Sequence, residues 1–299
     1  MAYLESPILS KHQHPHTVCT ARSFGHNLLP CFVEHSILHD MKKPTSRPFD
    51  GGAGSRHWFT GCIDPDETYG PHVIERMLRS VGRFDDILDI GAGGGRDLSI
   101  AATVAPQARL HAVECYPPNI ERLSLRGIHV ARVDIEQDRL PYDDGCMDVV
   151  IANQVLEHLK EIFWVTHEAT RVLRTGGRFI IGVPNVAAFH NRILLMLGRH
   201  PTQAKTCSAH VRCFSRHDLM RFFATCWPDG YRLDMFSGSQ FYPFPGPIAR
   251  KLATVMPTLA HSIFFMLRKT RDYDGSLASY PERVMLETNY RTTETPLKA

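Results

Sequence analysis

The run ILDIGAGGGRD, Ile87 to Asp97, sets an apolar stretch against an acid and then three alternate glycines. Ile87, Leu88 and Ile90 read as a buried parallel strand. Gly91, Gly93 and Gly95 then let the main chain turn sharply and approach a ligand with no side chain between. A nucleoside is the ligand such a turn holds, and the spacing bears on which kind. In the nicotinamide and flavin fingerprint, G-x-G-x-x-G or A, the last small residue packs helix on strand. Counted from Gly91, that position is Arg96, a long cation. Asp89 argues the same way, because a carboxylate ahead of the turn repels a pyrophosphate and attracts an ammonium or sulfonium group. The expected cofactor is positively charged, with a nicotinamide dehydrogenase as the outside alternative.

Three more polar residues fall where strands should end: Glu114 closing LHAVE, Asp134 in VARVDIE and Asn153 after MDVVIA. Open α/β sheets bind ligands at such carboxyl ends, and clustered acids there are costly unless ligand groups satisfy them. D-x-G-x-G-x-G after an apolar strand resembles the first motif of class I S-adenosylmethionine-dependent methyltransferases. LHAVE, VARVDIE, LPYDDGCMDVVIANQVLEHL and RVLRTGGRFIIGVPN resemble their later segments in order, from Ile87 to Asn185. The resemblance implies an enzyme with a doubly wound, mostly parallel seven-stranded Rossmann-like sheet and helices on both faces. Its cofactor would be S-adenosylmethionine, with S-adenosylhomocysteine as product. The implied cofactor contacts are Asp89, Gly91, Ala92, Gly93 and Gly95 at the first turn, and Glu114 with Cys115 where the family holds the ribose hydroxyls. Asp134 and Ile135 would lie by the adenine, and Asn153 and Gln154 in the cofactor-facing loop after the fourth strand.

VPN, NRxLLxLGRxP and HVRxF, within roughly Val183 to Arg268, resemble a branch of these enzymes often found among bacterial surface-polysaccharide genes. That implies a saccharide or other small polar acceptor. Since one scaffold hosts many acceptors, methylation of a quinone, phenol or carboxylate stays open, as does a non-catalytic adenosyl-binding regulatory module. Displacement at a sulfonium methyl needs alignment and, for a hydroxyl nucleophile, a base. His158 and His210 are the candidate bases, each with a structural role as its alternative, and Arg212 is a candidate clamp for an acceptor phosphate or carboxylate. Glu157 and His158 resemble the ligand pair of a metal-using minority whose further carboxylate stands three residues earlier. Gln154 holds that place here, and an amide lacks the anionic oxygen hard cations favour, so no metal is expected. Cys207, His210, Cys213 and His217 match no structural zinc spacing.

These residues need strands alternating with helices. Short β-branched runs occur at Ile87 to Ile90, Leu110 to Val113, His129 to Val133, Met147 to Ala152 and Phe179 to Val183. Helical spacing links Val73, Ile74, Met77, Leu78 and Val81, and again Ile162, Val165, Ala169, Val172 and Leu173, with Gly176 and Gly177 as the stop. Asn191 to Gly198 reads as a helix, Ser215 with Asp218 as the capping box of one running through Phe223, and YRLDMF and SIFFMLR as the last two strands. Trp58, Phe59 and Tyr69 suit either core packing or a lid over the cofactor.

The 34 basic and 31 acidic residues leave a net charge of +3, too balanced to point to nucleic acid, and 43% hydrophobic content is that of a globular chain. Eight cysteines without a C-x-x-C pair favour reduced thiols and a cytoplasmic setting. No stretch reaches membrane-span length and the first residues lack an apolar signal core. Ala249 to Leu267 suits either membrane-surface contact, if the acceptor is lipid-linked, or burial as helix and strand. Nothing in the sequence sets the oligomeric state. Residues 1–55, with His12, His14, His16, His26, His35 and His39, read as a poorly ordered extension and linker, and Met41 as an alternative start. Residues 56–271 read as the methyltransferase domain, with a cofactor half at 69–185 and an acceptor side at 186–271. Residues 272–299 read as a solvated tail.

Overall fold

The structure is a computed structural model and describes residues 65–286, 290 and 291. The expected N-terminal extension, the linker, Trp58 and Phe59 lie outside the described residues. A short helix α1 (Pro65–Thr68) and α2 (Pro71–Val81) lead into strand β1 (Asp86–Ile90), α3 (Arg96–Val104), β2 (Arg109–Val113), α4 (Pro117–Leu125) and β3 (His129–Ala131). Then follow β4 (Met147–Asn153), a 3-10 turn at Leu156–His158, α5 (Ile162–Val172), β5 (Leu173–Pro184) and α6 (Phe189–Met196). The chain continues through α7 (Arg216–Cys226), β6 (Tyr231–Ser239), α8 (Gly246–Val255), β7 (Ser262–Lys269) and α9 (Ser276–Arg283).

The seven strands form one sheet in the order β3-β2-β1-β4-β5-β7-β6. Pairings among the first five are parallel, as the alternating pattern predicts, while β7 runs antiparallel to both β5 and β6, so the sheet is mixed. Alternate residues of β1 supply both layers. Leu88 and Ile90 face a core shared with Val165, Phe223 and Leu277 of α5, α7 and α9. Ile87 faces the core of Ile74, Leu98 and Leu123 from α2, α3 and α4. Helices on both faces leave the carboxyl ends of the parallel strands along one rim, where the first five strands present their polar ends.

Three local expectations need correction. The strand at His129 ends at Ala131, short of Val133, because the next residues fold into a side-chain-bonded turn at Asp134. Gly176 and Gly177 do not stop α5. Leu173 caps it and passes directly into β5, and the two glycines form a kink inside that strand, where the register to β4 shifts. The described part of the segment after Asp272 is packed, not solvated, while residues 287–289 and 292–299 lie outside the described residues. Leu277 and Ala278 of α9 are fully buried against α5, and the Tyr290 ring stands 5.0 Å from Phe163. The run from Ala249 to Leu267 takes the second of its two expected forms, helix α8 and strand β7; β7 is buried along nearly its whole length, while Val255 at the end of α8 is exposed. Among the described residues no helix is long and apolar enough to cross a membrane.

The segment leading into α9 makes a pH-sensitive packing contact. His167 of α5 places Nδ1 2.8 Å from the Tyr273 hydroxyl, and burial holds its imidazole down at about 4. The native state therefore binds fewer protons than the unfolded chain between about 6.5 and 4. This contribution is complete above the unfolded value and is lost as pH falls through that window, by up to about 3 kcal/mol. Melting curves from pH 7 to 4 should show a shallower acid loss in His167→Gln than in the unsubstituted protein. Parallel curves would show that this imidazole does not carry the effect.

Candidate functional site

At the end of β1 the chain enters the left-handed region at Gly91 (φ 69°), Gly93 (φ 53°) and Gly95 (φ 76°). The turn is held from both sides. A Cβ on Gly91 would lie 2.8 Å from Val155 Cγ2 in the loop after β4, and one on Gly95 would lie 2.5 Å from Leu123 Cδ2 of α4. A Cβ on Gly93 would meet nothing within 4 Å, which leaves that face of the turn open to a ligand. Ala92 is buried with its N–H on the Val113 carbonyl, and Gly95 caps α3. Arg96 points outward to Asp66 Oδ1 (2.8 Å) and over the Tyr69 ring, so a long cation at this position meets no steric obstacle.

Three buried acids surround this turn. Glu114 leaves β2 and accepts hydrogen bonds from the N–H groups of Gly93 (2.8 Å), Cys115 (2.8 Å) and Tyr116 (2.9 Å), joining the glycine turn to the start of α4. The Asp89 side chain is 3% exposed and has no hydrogen-bond partner among the described residues. Burial, then the charges of Asp97 and Glu114, push its carboxyl well above the usual range. Asp97, in the first turn of α3, is also raised by burial, partly offset by the Asn153 amide. The sequence reading passed over Asp97, since an acid in a first helical turn is ordinary. Asp134 is half-buried and bonded within its own turn to Glu136 N (3.0 Å) and Gln137 Nε2 (2.8 Å), and Ile135 packs at the edge of the core. The acids joined through their charges at the turn are thus Asp89, Asp97 and Glu114, not Asp89, Glu114 and Asp134. Uncompensated buried carboxylates favour a cationic partner, so these residues fit a ligand carrying ammonium and sulfonium groups.

Asn153 ends β4 and donates to the Tyr69 carbonyl (3.0 Å) and Asp97 Oδ2 (2.8 Å), tying the strand end to the segment before α2. Gln154 follows in the left-handed region at φ 58°, fixed by its N–H on the Gly182 carbonyl at 2.8 Å, and its side-chain Nε2 is buried without a partner. A non-glycine residue held this way costs about 1–3 kcal/mol, the kind of strain that clusters at ligand loops.

Beyond this loop the 3-10 turn presents Glu157 and His158. The main-chain carbonyl of Glu157 accepts from Val211 (2.9 Å) and Arg212 (3.1 Å), which draws the acceptor-side segment onto the loop. The His158 and His210 rings meet edge to face at 4.8 Å, and His158 Nδ1 lies 3.3 Å from the Ala209 carbonyl. Burial lowers both imidazoles below their ordinary value, so both are neutral at pH 7. Glu157 is 1% exposed, with its carboxyl pushed up to about 8 by burial. His190 and His261, which the sequence reading passed over, stack at 5.6 Å and are each held down at about 4 by burial. Their separation along the chain left no signal of this pairing. The Arg212 guanidinium donates to the carbonyls of Leu159 (2.9 Å) and Lys160 (2.6 Å) and braces the loop. Cys207, Cys213 and His217 are exposed and stand outside the Glu157–His158–His210 group.

Residues 88–181 match the family model described as a methyltransferase domain. An uncharacterized 37.1 kDa protein in a transposon of Streptomyces fradiae is 32% identical over 154 residues, 49% of this chain and 44% of the relative. A probable S-adenosylmethionine-dependent methyltransferase of Mycolicibacterium smegmatis is 34% identical over 156 residues, 50% of this chain and 56% of the relative. The 27-O-demethylrifamycin SV methyltransferase of Amycolatopsis mediterranei is 33% identical over 105 residues, 33% and 38% of the two chains. The chain spans about half the length of the curated relatives it matches.

Proposed function

From the premise that residues 88–181 form a class I S-adenosylmethionine-dependent methyltransferase domain, we propose that this protein transfers a methyl group to an oxygen of a small polar acceptor, a sugar or glycan precursor. The observation that carries the cofactor half is the trio of buried acids around an open glycine turn. When bound, S-adenosylmethionine supplies a methyl on a positively charged sulfur, a leaving group already activated. The chain's part is to bind, orient and deprotonate. Glu114 would accept from the ribose hydroxyls while its bonds to Gly93 and Cys115 hold the turn in place. Asp89 and Asp97 would meet the cationic end, and the side-chain Nε2 of Gln154, which has no partner among the described residues, would find one in the ligand. Asp134 and Ile135, at the mouth of β3, would border the adenine.

On the acceptor side, the neutral imidazoles of His158 and His210 can take the proton of an attacking hydroxyl. The acceptor class follows from the resemblance of the acceptor-side segments. The rifamycin relative favours a wider reading, a small molecule of another kind. A cytoplasmic location belongs to the same proposal. Calorimetric titration with S-adenosylhomocysteine tests the cofactor, and labelled methyl transfer into sugar nucleotides, lipid-linked glycans and phenols tests the acceptor. Label in the sugars is the expected result. Label only in phenols would transfer the proposal to the alternative acceptors, and cofactor binding with no transfer would make the chain a regulatory module.

A further inference from the structure

We propose that Glu157, His158 and His210 bind one divalent transition-metal ion. One ligand atom from each of the three lies within 4.8 Å of the others. A tetrahedral ion with bonds of about 2.1 Å holds its ligand atoms roughly 3.4 Å apart, so each pair needs to close by no more than about 1.4 Å to seat an ion. The imidazoles are set for ligation. The Ala209 carbonyl takes His158 Nδ1, which leaves Nε2 with its lone pair 3.9 Å from Glu157 Oε1. His210 Nδ1 is buried without a partner, and the Gln203 main-chain carbonyl engages the same ring.

Glu157 supplies the independent sign of a missing ligand. It is 1% exposed, yet its Oε2 has no hydrogen-bond partner, a buried carboxylate oxygen left without the group that would offset its burial. Two imidazole nitrogens and one carboxylate favour zinc, cobalt, nickel or manganese over magnesium or calcium, which take oxygen ligands. The absence of metal expected from Gln154 considered only the loop after β4. The fold brings His210 in as a third ligand from the acceptor-side segment, through the main-chain bonds of Val211 and Arg212 to Glu157.

Three protein ligands leave a coordination position open, as in catalytic rather than structural sites. An acceptor hydroxyl seated there would lose its proton to solvent water more easily, with the imidazoles holding the ion instead of acting as the base. That role rests on the methyltransferase proposal, whereas the binding of the ion does not.

Equilibrium dialysis of the full chain against Zn²⁺, Co²⁺, Mn²⁺ and Mg²⁺ tests the site, with the visible d–d absorption of bound Co²⁺ as the second readout. The expected result is one Zn²⁺ or Co²⁺ per chain in preference to Mg²⁺. Glu157→Gln and His210→Ala should each weaken uptake by about 100-fold or more while S-adenosylhomocysteine still binds. His210, half-buried, serves if the Glu157 variant does not fold. No stoichiometric uptake overturns the site. So does uptake that both variants retain, or uptake lost only in a His12→Ala, His14→Ala, His16→Ala triple variant. Ion uptake in a chain that fails to bind S-adenosylhomocysteine would count against the methyltransferase reading and leave the metal site standing.

Discussion

Glu114→Ala should lower the affinity for S-adenosylhomocysteine by roughly 30- to 150-fold, about 2–3 kcal/mol, read by calorimetric titration. Two losses combine. The charged acceptor for the ribose hydroxyls goes, and the N–H groups of Gly93, Cys115 and Tyr116 lose the carboxylate that gathers them at the head of the sheet. Glu114→Gln should rescue little, although it keeps the size. The carboxylate accepts at both oxygens, so an amide must turn its NH₂ toward at least one main-chain donor. Asp134→Ala should cost less, because that side chain is half-buried and serves its own turn. Unchanged affinity in Glu114→Ala would place the ribose elsewhere.

Arg171→Ala should destabilise the fold by about 3–5 kcal/mol, lowering the melting temperature by roughly 10 °C or more. The Arg171 guanidinium is buried in α5 and donates to both oxygens of Glu168 (2.7 Å each), to Asp144 Oδ1 (2.7 Å) and to the carbonyls of Tyr142 (2.8 Å) and Leu140 (3.0 Å). Glu168 in turn accepts from Leu140 N–H at 2.7 Å. Truncating the arginine strands a buried carboxylate and two buried carbonyls, which is why the loss exceeds that of a surface pair. Arg171→Lys should fail to restore stability, since one ammonium cannot span the fork of acceptors. Replacing both partners together, Glu168→Leu with Arg171→Met, should recover much of the loss by removing the stranded charge. A double variant as unstable as the single one would show that the carbonyl contacts, not the charge, dominate.

Both predictions concern residues whose roles differ in how openly the sequence displays them. Glu114 stands at the end of an apolar run after a glycine turn, a local pattern, and the structure puts it beside that turn. Arg171 sits in a helix among residues that look like ordinary surface and core alternation, and only packing against the loop before β4 reveals it as a buried tie. The same division holds at the site. The glycine turn, Asp89, the capping box at Ser215 and the last two strands are consequences of neighbouring residues. Asp97 resembles any helix-start acid until the ends of β1 and β2 bring Asp89 and Glu114 beside it.

The amino-acid order by itself determined that strands alternate with helices, that the first strand ends in an open turn, and that acids gather at the strand ends. Each follows from side-chain period and main-chain freedom over a few residues. The reversed direction of β7, the helix after Asp272, the stacking of His190 on His261 and the meeting of Glu157, His158 and His210 were decided only in three dimensions. They depend on which distant segments share a buried face. Chain closure and packing choose that once the whole sheet has assembled, and no local pattern encodes it.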